Sequence, residues 1–417
     1  MNIRKLAKLT VFVALACTSL TACGKSGTDA VTLEYMTGAG TGTPQHKVLQ
    51  EISAEFEKEN PGVKINLVTG TSNLEEDLKV RLAGKNPPDL WNTHGWSRDR
   101  YGEFLEPLNK RTWAEKMKPL GDSLFKTAEG EFYALPYDIQ TTGILYNADV
   151  LAKAGVDPKG IASWDDFAAA AAKVKENGVA PIVASGKEMS TAGNIADYIL
   201  PGFYSEADQQ KLLAGKFDPD TYAQATALVQ SWHDAGYFNP DYTSATIDDV
   251  YQIMATAQGA FMFWGNGGLT NIESYNPDAK IGVMPVPGVK RSAYFNAGEN
   301  QAVGVSKTSA HKEQALKYID FLAEPKNYTK MNSIAANDSA LVGVEPNLGQ
   351  LTEIYNYWIT EQKTPTVPYF DRVYLPNGMW APMCQTTDGI ITGQLDAKAA
   401  AEQMQTSFES LYGQKQK

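Results

Sequence analysis

The chain has 417 residues, which exceeds the length that a single hydrophobic core usually supports, so we expect two domains. With 37 Lys and Arg against 48 Asp and Glu it carries a net charge of −11 and no basic run, which argues against nucleic acid as a partner. Its three cysteines and four scattered histidines form neither a CxxC nor an HExxH motif, so we expect no metal site and no cofactor.

The N-terminus has the features of a targeting segment. It begins with a basic stretch, and the apolar run at 9–20 is too short to span a bilayer. Leu20-Thr21-Ala22-Cys23 matches the bacterial lipobox, which predicts a lipoprotein signal peptide at 1–22 and a lipidated Cys23 at the start of the tether 23–30. The alternative is a non-lipid signal with a chance cysteine.

The next segments alternate between strand and helix patterns. Strands are predicted at 31–36, 63–67 and 89–93 because apolar residues alternate or cluster there. Helices are predicted at 43–60 and 73–82, the first capped by a threonine and followed by proline at its first turn. This βαβαβ order predicts a mostly parallel sheet with helices packed on it.

Ligands of open α/β sheets bind outside the carboxyl ends of the strands, so the loops after these strands are candidate site loops. Thr41 lies in a Gly- and Thr-rich loop after the first strand, and His94 and Trp96 follow the third. A tryptophan beside polar side chains suits the apolar face and the hydroxyls of a sugar. The alternatives are a plain flexible loop at Thr41 and aromatic side chains that merely fill a loop pocket at 93–98.

Residues 130–155 form the stretch around which the chain is organised. Two β-prone segments, 132–135 and 141–147, are interrupted by Pro136, which we expect to prevent a regular ladder. Asp138 and Gln140 lie between them and can hydrogen-bond a polar ligand if two domains meet here. The alternative is an ordinary strand with a turn in it.

The following region contains a helix and then a glycine cluster. Ser163 begins a capping box, and Trp164 in the first turn is predicted to pack against the helix core. Residues 259–263 read as a buried strand that leads to Trp264 and several glycines. Trp264 either stands over a cleft or belongs to a core face.

The C-terminal third supplies the last candidates. We expect residues 296–301 to be a polar, glycine-bearing loop that carries Glu299 and Asn300, followed by a helix at 312–322. Trp380 lies among further aromatic residues near the C-terminus.

Several short motifs occur in a characteristic order and spacing. They are Pro88-Asp89-Leu90, Gly130, Tyr133-Ala134-Leu135-Pro136-Tyr137-Asp138, Tyr146-Asn147, Ala154-Gly155, Ser163-Trp164-Asp165-Asp166-Phe167, the region 259–265, Pro285-Val286-Pro287 and the helix after Val305-Ser306. Together they resemble extracellular solute-binding protein family 1, the sugar-capturing subunits of ABC importers, of which maltose-binding protein is a distant relative.

The resemblance implies a two-lobed, periplasmic-binding-protein-like α/β fold of type II, with a ligand cleft between discontinuous domains. In that family the stretch 130–155 is the first crossover between lobes, and we expect further crossings near 281–286 and 337–342 to complete a hinge. The expected bounds are 31–137 with 290–338 for lobe 1, and 138–289 with 339–417 for lobe 2.

The resemblance further implies a protein, anchored to the cell membrane outside the cytoplasm, that captures a sugar or oligosaccharide by lobe closure and delivers it to an ABC permease. We expect a monomer that is not an enzyme and contacts the membrane only through its lipid. Trp264 and Trp380 lie a residue or more from the family's usual contacts. The expected ligand-binding residues are Thr41, His94, Trp96, Asp138, Gln140, Trp264, Glu299, Asn300 and Trp380.

Two other function classes are open to the same residues. Asp138 and Glu299 could serve as the acid and nucleophile of a surface-anchored glycoside hydrolase. The sequence has no GxSxG elbow, metal motif or phosphate loop, so catalysis would depend on these two carboxylates alone. The third class is an adhesin or a structural lipoprotein.

Overall fold

The computed structural model describes residues 30–69, 74–93, 101–118, 125–127, 129–299 and 301–415. The predicted signal peptide, Cys23, His94, Trp96 and Asn300 lie outside these residues, so their assignments stay predictions. Among the described residues, no helix is long and apolar enough to cross a membrane.

The strands are short and are spread over the whole chain. They are β1 Val31–Thr37, β2 Val63–Thr69, β3 Leu90–Thr93, β4 Leu135–Pro136, β5 Ile139–Thr142, β6 Ile144–Asn147, β7 Ala180–Ile182, β8 Gly259–Phe263, β9 Ile281–Met284, β10 Phe295–Glu299, β11 Ala302–Val305 and β12 Thr366–Pro368.

The α-helices fill most of the sequence between the strands. They are α1 Pro44–Glu59, α2 Leu74–Ala83, α3 Ala148–Lys153, α4 Trp164–Glu176, α5 Ser190–Phe203, α6 Glu206–Leu213, α7 Pro219–Asp234, α8 Ile247–Ala255, α9 Gly268–Tyr275, α10 Lys312–Leu322, α11 Pro325–Ala335, α12 Thr352–Tyr355, α13 Phe370–Tyr374, α14 Trp380–Ile391 and α15 Ala397–Lys415.

One sheet has the order β2-β1-β3-β11-β4 within the described residues. Strands β1, β2 and β3 are parallel, and β11 runs antiparallel to β3. The β1-α1-β2-α2-β3 order confirms the predicted βαβαβ unit. Its first helix begins where the sequence indicated, because the Thr43 hydroxyl accepts from the His46 backbone and Pro44 occupies the first turn.

A second sheet, β7-β8-β6-β9, is built from residues between 144 and 284. A third, β12-β10-β5, joins segments that are distant in sequence. A single residue, Gly143, separates β5 from β6, so the chain passes directly from the third sheet to the second at this glycine. A Cβ at this glycine would lie 2.1 Å from the Met284 carbonyl oxygen, so the close approach requires glycine.

The buried side chains form separate cores on these sheets. One core packs α1 and α10 onto the first sheet, with Phe56 and Tyr318 in edge contact at 5.1 Å between ring centroids. Another surrounds α4, where Trp164 lies 5.6 Å from Phe167 and 5.5 Å from Trp232, as predicted for a packing tryptophan. These layers of helices packed on sheets make an α/β fold.

Two local predictions are wrong. Pro136 does not prevent a ladder: it pairs with Ala302 in β4, at the edge of its sheet, where a missing backbone donor is tolerated. Residues 296–299 are not a loop but belong to the buried strand β10. Pairing with β5 on one side and β12 on the other overrides the weak strand propensity of its Asn, Gly and Glu residues.

Candidate functional site

Polar side chains gather at the carboxyl ends of β1 and β3. The Asn92 Oδ1 accepts from the Gly38 backbone at 2.9 Å, and its Nδ2 donates to the Tyr137 hydroxyl at 3.3 Å. The Tyr137 hydroxyl also contacts that of Tyr35. Sequence reasoning did not select Asn92 or Tyr35, because both lie inside strands that read as ordinary core.

Thr41 lies on the same edge, in the loop after β1. Its side chain is exposed, and its hydroxyl lies 3.2 Å from that of Thr69 at the end of β2. The residues predicted from the third loop, His94 and Trp96, follow Thr93 directly but lie outside the described residues. Of the predicted loop residues Thr41, His94 and Trp96, the structure therefore describes Thr41.

Asp138 lies between β4 and β5, where the chain leaves the first sheet. The residue is 2% exposed, and its carboxylate accepts a hydrogen bond from the Asn337 side chain at 2.8 Å. The next residue, Ile139, exchanges two backbone hydrogen bonds with Asp338. The crossover predicted at 130–155 and the passage predicted near 337 thus lie side by side.

Gln140 is buried in β5, and its Oε1 accepts from the Tyr369 hydroxyl at 2.8 Å. The glycine cluster after β8 packs onto it, since a Cβ at Gly265 would lie 2.9 Å from Gln140 Nε2. Half-buried Trp264 immediately precedes that glycine and lies against Gly268. The structure therefore brings the Trp264 segment to Gln140.

Glu299 ends β10, opposite Ile139 of β5. Its side chain is fully buried, and its Oε1 lies 3.3 Å from Nη1 of Arg372. The same nitrogen also donates to the Glu299 backbone oxygen. Asp138, Gln140 and Glu299, with their partners Asn337, Tyr369 and Arg372, are called the crossover group below.

Two more carboxyls lie beside the crossover group. Asp197 of α5 accepts a hydrogen bond from the Asp371 backbone at 2.8 Å. Burial raises the pKa of Asp197, with a further contribution from the Asp371 charge, and burial raises the pKa of Asp371 to about 6. The pKa of Arg372 is also raised, because Glu299 and Asp371 outweigh the effect of its burial.

Trp380 occupies a different position from the crossover group. It begins α14, is half-buried, and packs against α5, where its ring would lie 3.0 Å from a Cβ at Gly193. Asp197 lies on α5 as well, four residues after Gly193. The described contacts place Trp380 against the second core and do not join it to Gln140.

This arrangement suits binding of a polar molecule. Carboxylates, an amide, tyrosine hydroxyls and a guanidinium converge where three sheets meet, in surroundings that exclude water and strengthen hydrogen bonds. Asn337 donates a hydrogen bond to Asp138, and Arg372 pairs with Glu299. These contacts do not favour the use of Asp138 and Glu299 as an acid and nucleophile pair. The described residues contain no group of three or more His, Cys, Asp or Glu side chains that could hold a metal ion.

Comparison with known proteins gives a consistent result. Residues 39–329 match the model of the family described as bacterial extracellular solute-binding protein. The chain is 27% identical over 345 residues to the melibiose/raffinose/stachyose-binding protein MelE of Bacillus subtilis, a match that covers 81% of this chain and 80% of MelE. It is 26% identical to an arabinooligosaccharide-binding protein of the same species, over 75% of this chain and 73% of that protein.

The fold is also shared with solved structures. A sugar transporter protein of Bacillus licheniformis, crystallised with stachyose, superimposes with a TM-score of 0.82 at 29% identity. The superposition covers 91% of this chain and 100% of the other. It supports the predicted two-lobed fold of type II.

Proposed function

The chain belongs to the bacterial extracellular solute-binding protein family, and we propose from this that it captures a sugar or oligosaccharide outside the cytoplasm and delivers it to an ABC permease. The main structural support for the proposal is the arrangement of the crossover group. Gln140 and Glu299 come from neighbouring strands of one sheet, Asp138 immediately precedes the first of these strands, and all three residues are buried with polar partners. Such preordered donors and acceptors match the hydroxyl groups of a carbohydrate.

The ligand class follows from the relatives. MelE is named for melibiose, raffinose and stachyose, and the Bacillus licheniformis structure contains stachyose. These sugars share a terminal galactosyl unit, so galactosyl oligosaccharides are the ligands we propose first. Arabino- and maltooligosaccharides come second, since two further relatives are named for those sugars.

Binding is proposed to close two lobes around the solute. The proposed bounds are residues 31–137 with 290–338 for lobe 1, and residues 138–289 with 339–417 for lobe 2. Strands β5 and β10 and the backbone pair Ile139–Asp338 lie near the proposed crossings, where small rotations of a few residues would move one lobe against the other. The proposed contacts are Thr41, His94, Trp96, Asp138, Gln140, Trp264, Glu299, Asn300 and Trp380.

The anchor and the partners complete the proposal. Cys23 would carry the lipid that holds a monomeric protein on the cell membrane, with residues 23–30 as the tether. The protein would bind its sugar without changing it, since family members are binding proteins rather than enzymes.

The test is a thermal-shift screen of the mature protein with melibiose, raffinose, stachyose, maltotriose and an arabinotriose. A true ligand at about 100 times its Kd should add roughly 2.7 kcal/mol to the free energy of unfolding. Product analysis of the same samples distinguishes binding from hydrolysis. Failure of every sugar to stabilise the protein, or release of more than one mole of product per mole of protein, would contradict the proposal.

A further inference from the structure

We propose that Tyr369 and Arg372 are positioning residues of the sugar site, which hold Gln140 and Glu299 in the orientation that binds ligand. The proposal rests on the proposed function, because it concerns the same crossover group. Neither residue is among the ligand-binding residues that the sequence predicted. Both lie at the short helix α13, far along the chain from the strands they contact.

Tyr369 fixes the amide of Gln140. Its hydroxyl lies 2.8 Å from Gln140 Oε1 and 3.1 Å from the Thr142 hydroxyl, so it contacts two residues of β5 on the same face. Tyr369 is 5% exposed, and its ring packs against β10 at Gly298, where a Cβ would lie 2.8 Å from the ring Cδ2. With Oε1 occupied by the tyrosine, Gln140 Nε2 is directed toward Gly265 and the Trp264 segment.

Arg372 fixes the end of β10. Its guanidinium donates to both the backbone oxygen and the carboxylate of Glu299, and its centre lies 4.4 Å above the Tyr369 ring. A planar guanidinium can stack and donate at the same time, which a lysine ammonium cannot do as well. One side chain thereby links Glu299 to the tyrosine that holds Gln140.

The two residues are themselves held by the second core. The Asp371 backbone donates to Asp197 of α5, and Phe370 is fully buried against Tyr204 with ring centroids 4.8 Å apart. Helix α13 therefore has a fixed position relative to α5. Supporting contacts of this kind keep binding groups within the narrow geometry that affinity requires.

The test uses conservative variants that keep the packing. Tyr369→Phe removes the hydroxyl alone and should weaken binding of raffinose or stachyose about tenfold, because Gln140 loses its buried partner. Arg372→Gln should weaken binding by roughly tenfold to a hundredfold, and Arg372→Lys should recover part of that loss by keeping the charge.

Control variants come from the neighbourhood of the first core. Tyr318→Phe removes a buried tyrosine bond to Ser53, and Arg111→Gln removes a pair with Asp320; none of these four residues belongs to the crossover group. These variants should bind like the parent. Equal affinity of the Tyr369 and Arg372 variants and the parent would overturn the proposal, as would an equal loss in the controls.

Ligand-free crystal structures of Tyr369→Phe and Arg372→Gln separate this inference from the proposed function. If the parent binds no tested sugar, the proposed function fails, but displaced Gln140 and Glu299 side chains in the variants still support the positioning role. Side chains of Gln140 and Glu299 that keep their parent positions would overturn it.

Discussion

The buried carboxyl of Asp371 should make the stability of the folded chain depend on pH. Burial raises its pKa from 3.8 to about 6, against the opposing charge of Arg372. Between these values the folded chain holds a proton that the unfolded chain has released, so the free energy of unfolding falls as pH rises through this window. The difference between these two pKa values, at roughly 1.4 kcal/mol for each pH unit, lowers the free energy of unfolding by about 3 kcal/mol.

Asp371→Asn keeps the shape of the side chain and cannot ionise. The variant should gain stability relative to the parent as pH rises from about 4 to about 7, by up to roughly 3 kcal/mol. Burial and then the Asp371 charge raise the pKa of Asp197, so removing that charge also reduces the contribution of Asp197 to the loss of stability as pH rises. The assay is urea unfolding of both proteins across this range, followed by far-UV circular dichroism.

Asp208→Asn provides a control of opposite sign. Hydrogen bonds from Lys211, Ser205 and Lys290 lower the pKa of Asp208, so its contribution is present at neutral pH and is lost as pH falls below its unfolded value. This variant should therefore be less stable than the parent at neutral pH and approach it in acid. A stability difference between Asp371→Asn and the parent that does not change with pH would refute the reasoning.

Three further predictions concern the junction of the sheets, the sugar site and the anchor. Gly143→Ala places a Cβ 2.1 Å from the Met284 carbonyl oxygen and should lower the free energy of unfolding by about 3 kcal/mol, measured in urea. Gly413→Ala, with open space around it, should cause no loss of stability. Equal effects of the two substitutions would contradict the packing at Gly143. Asp138→Ala should weaken sugar binding roughly tenfold or more in calorimetry and should also lower the ligand-free melting temperature, because the buried Asn337 amide loses its acceptor; unchanged affinity would show a packing role alone. Cys23→Ala should abolish lipid labelling and leave the protein released or uncleaved, and normal labelling would exclude the predicted anchor.

Local sequence signals predicted several helices and the three parallel strands of the first sheet well. The helix expected at 312–322 is observed with those bounds, and Thr43 and Ser163 cap helices as their side chains allow. These features depend on hydrogen bonds between residues three or four positions apart, which a single sequence displays directly.

The missed features depend on contacts between distant segments. Strand β10 was expected to be a loop because its Asn, Gly and Glu favour turns, yet its partners lie about residues 140 and 366. In the same way, Asp138 was selected from the sequence but its partner Asn337 was not, since 199 positions separate them. The residues that orient the proposed site, Tyr369 and Arg372, belong to this class.

Titration calorimetry of the mature parent protein with raffinose and stachyose tests the central claim most directly. The proposed function predicts saturable binding of one sugar per chain, with a heat-capacity change that is negative because apolar surface is buried on binding. It also predicts that both sugars are recovered intact. Absence of binding to these sugars and to the arabino- and maltooligosaccharides, or their steady hydrolysis during the titration, would contradict it.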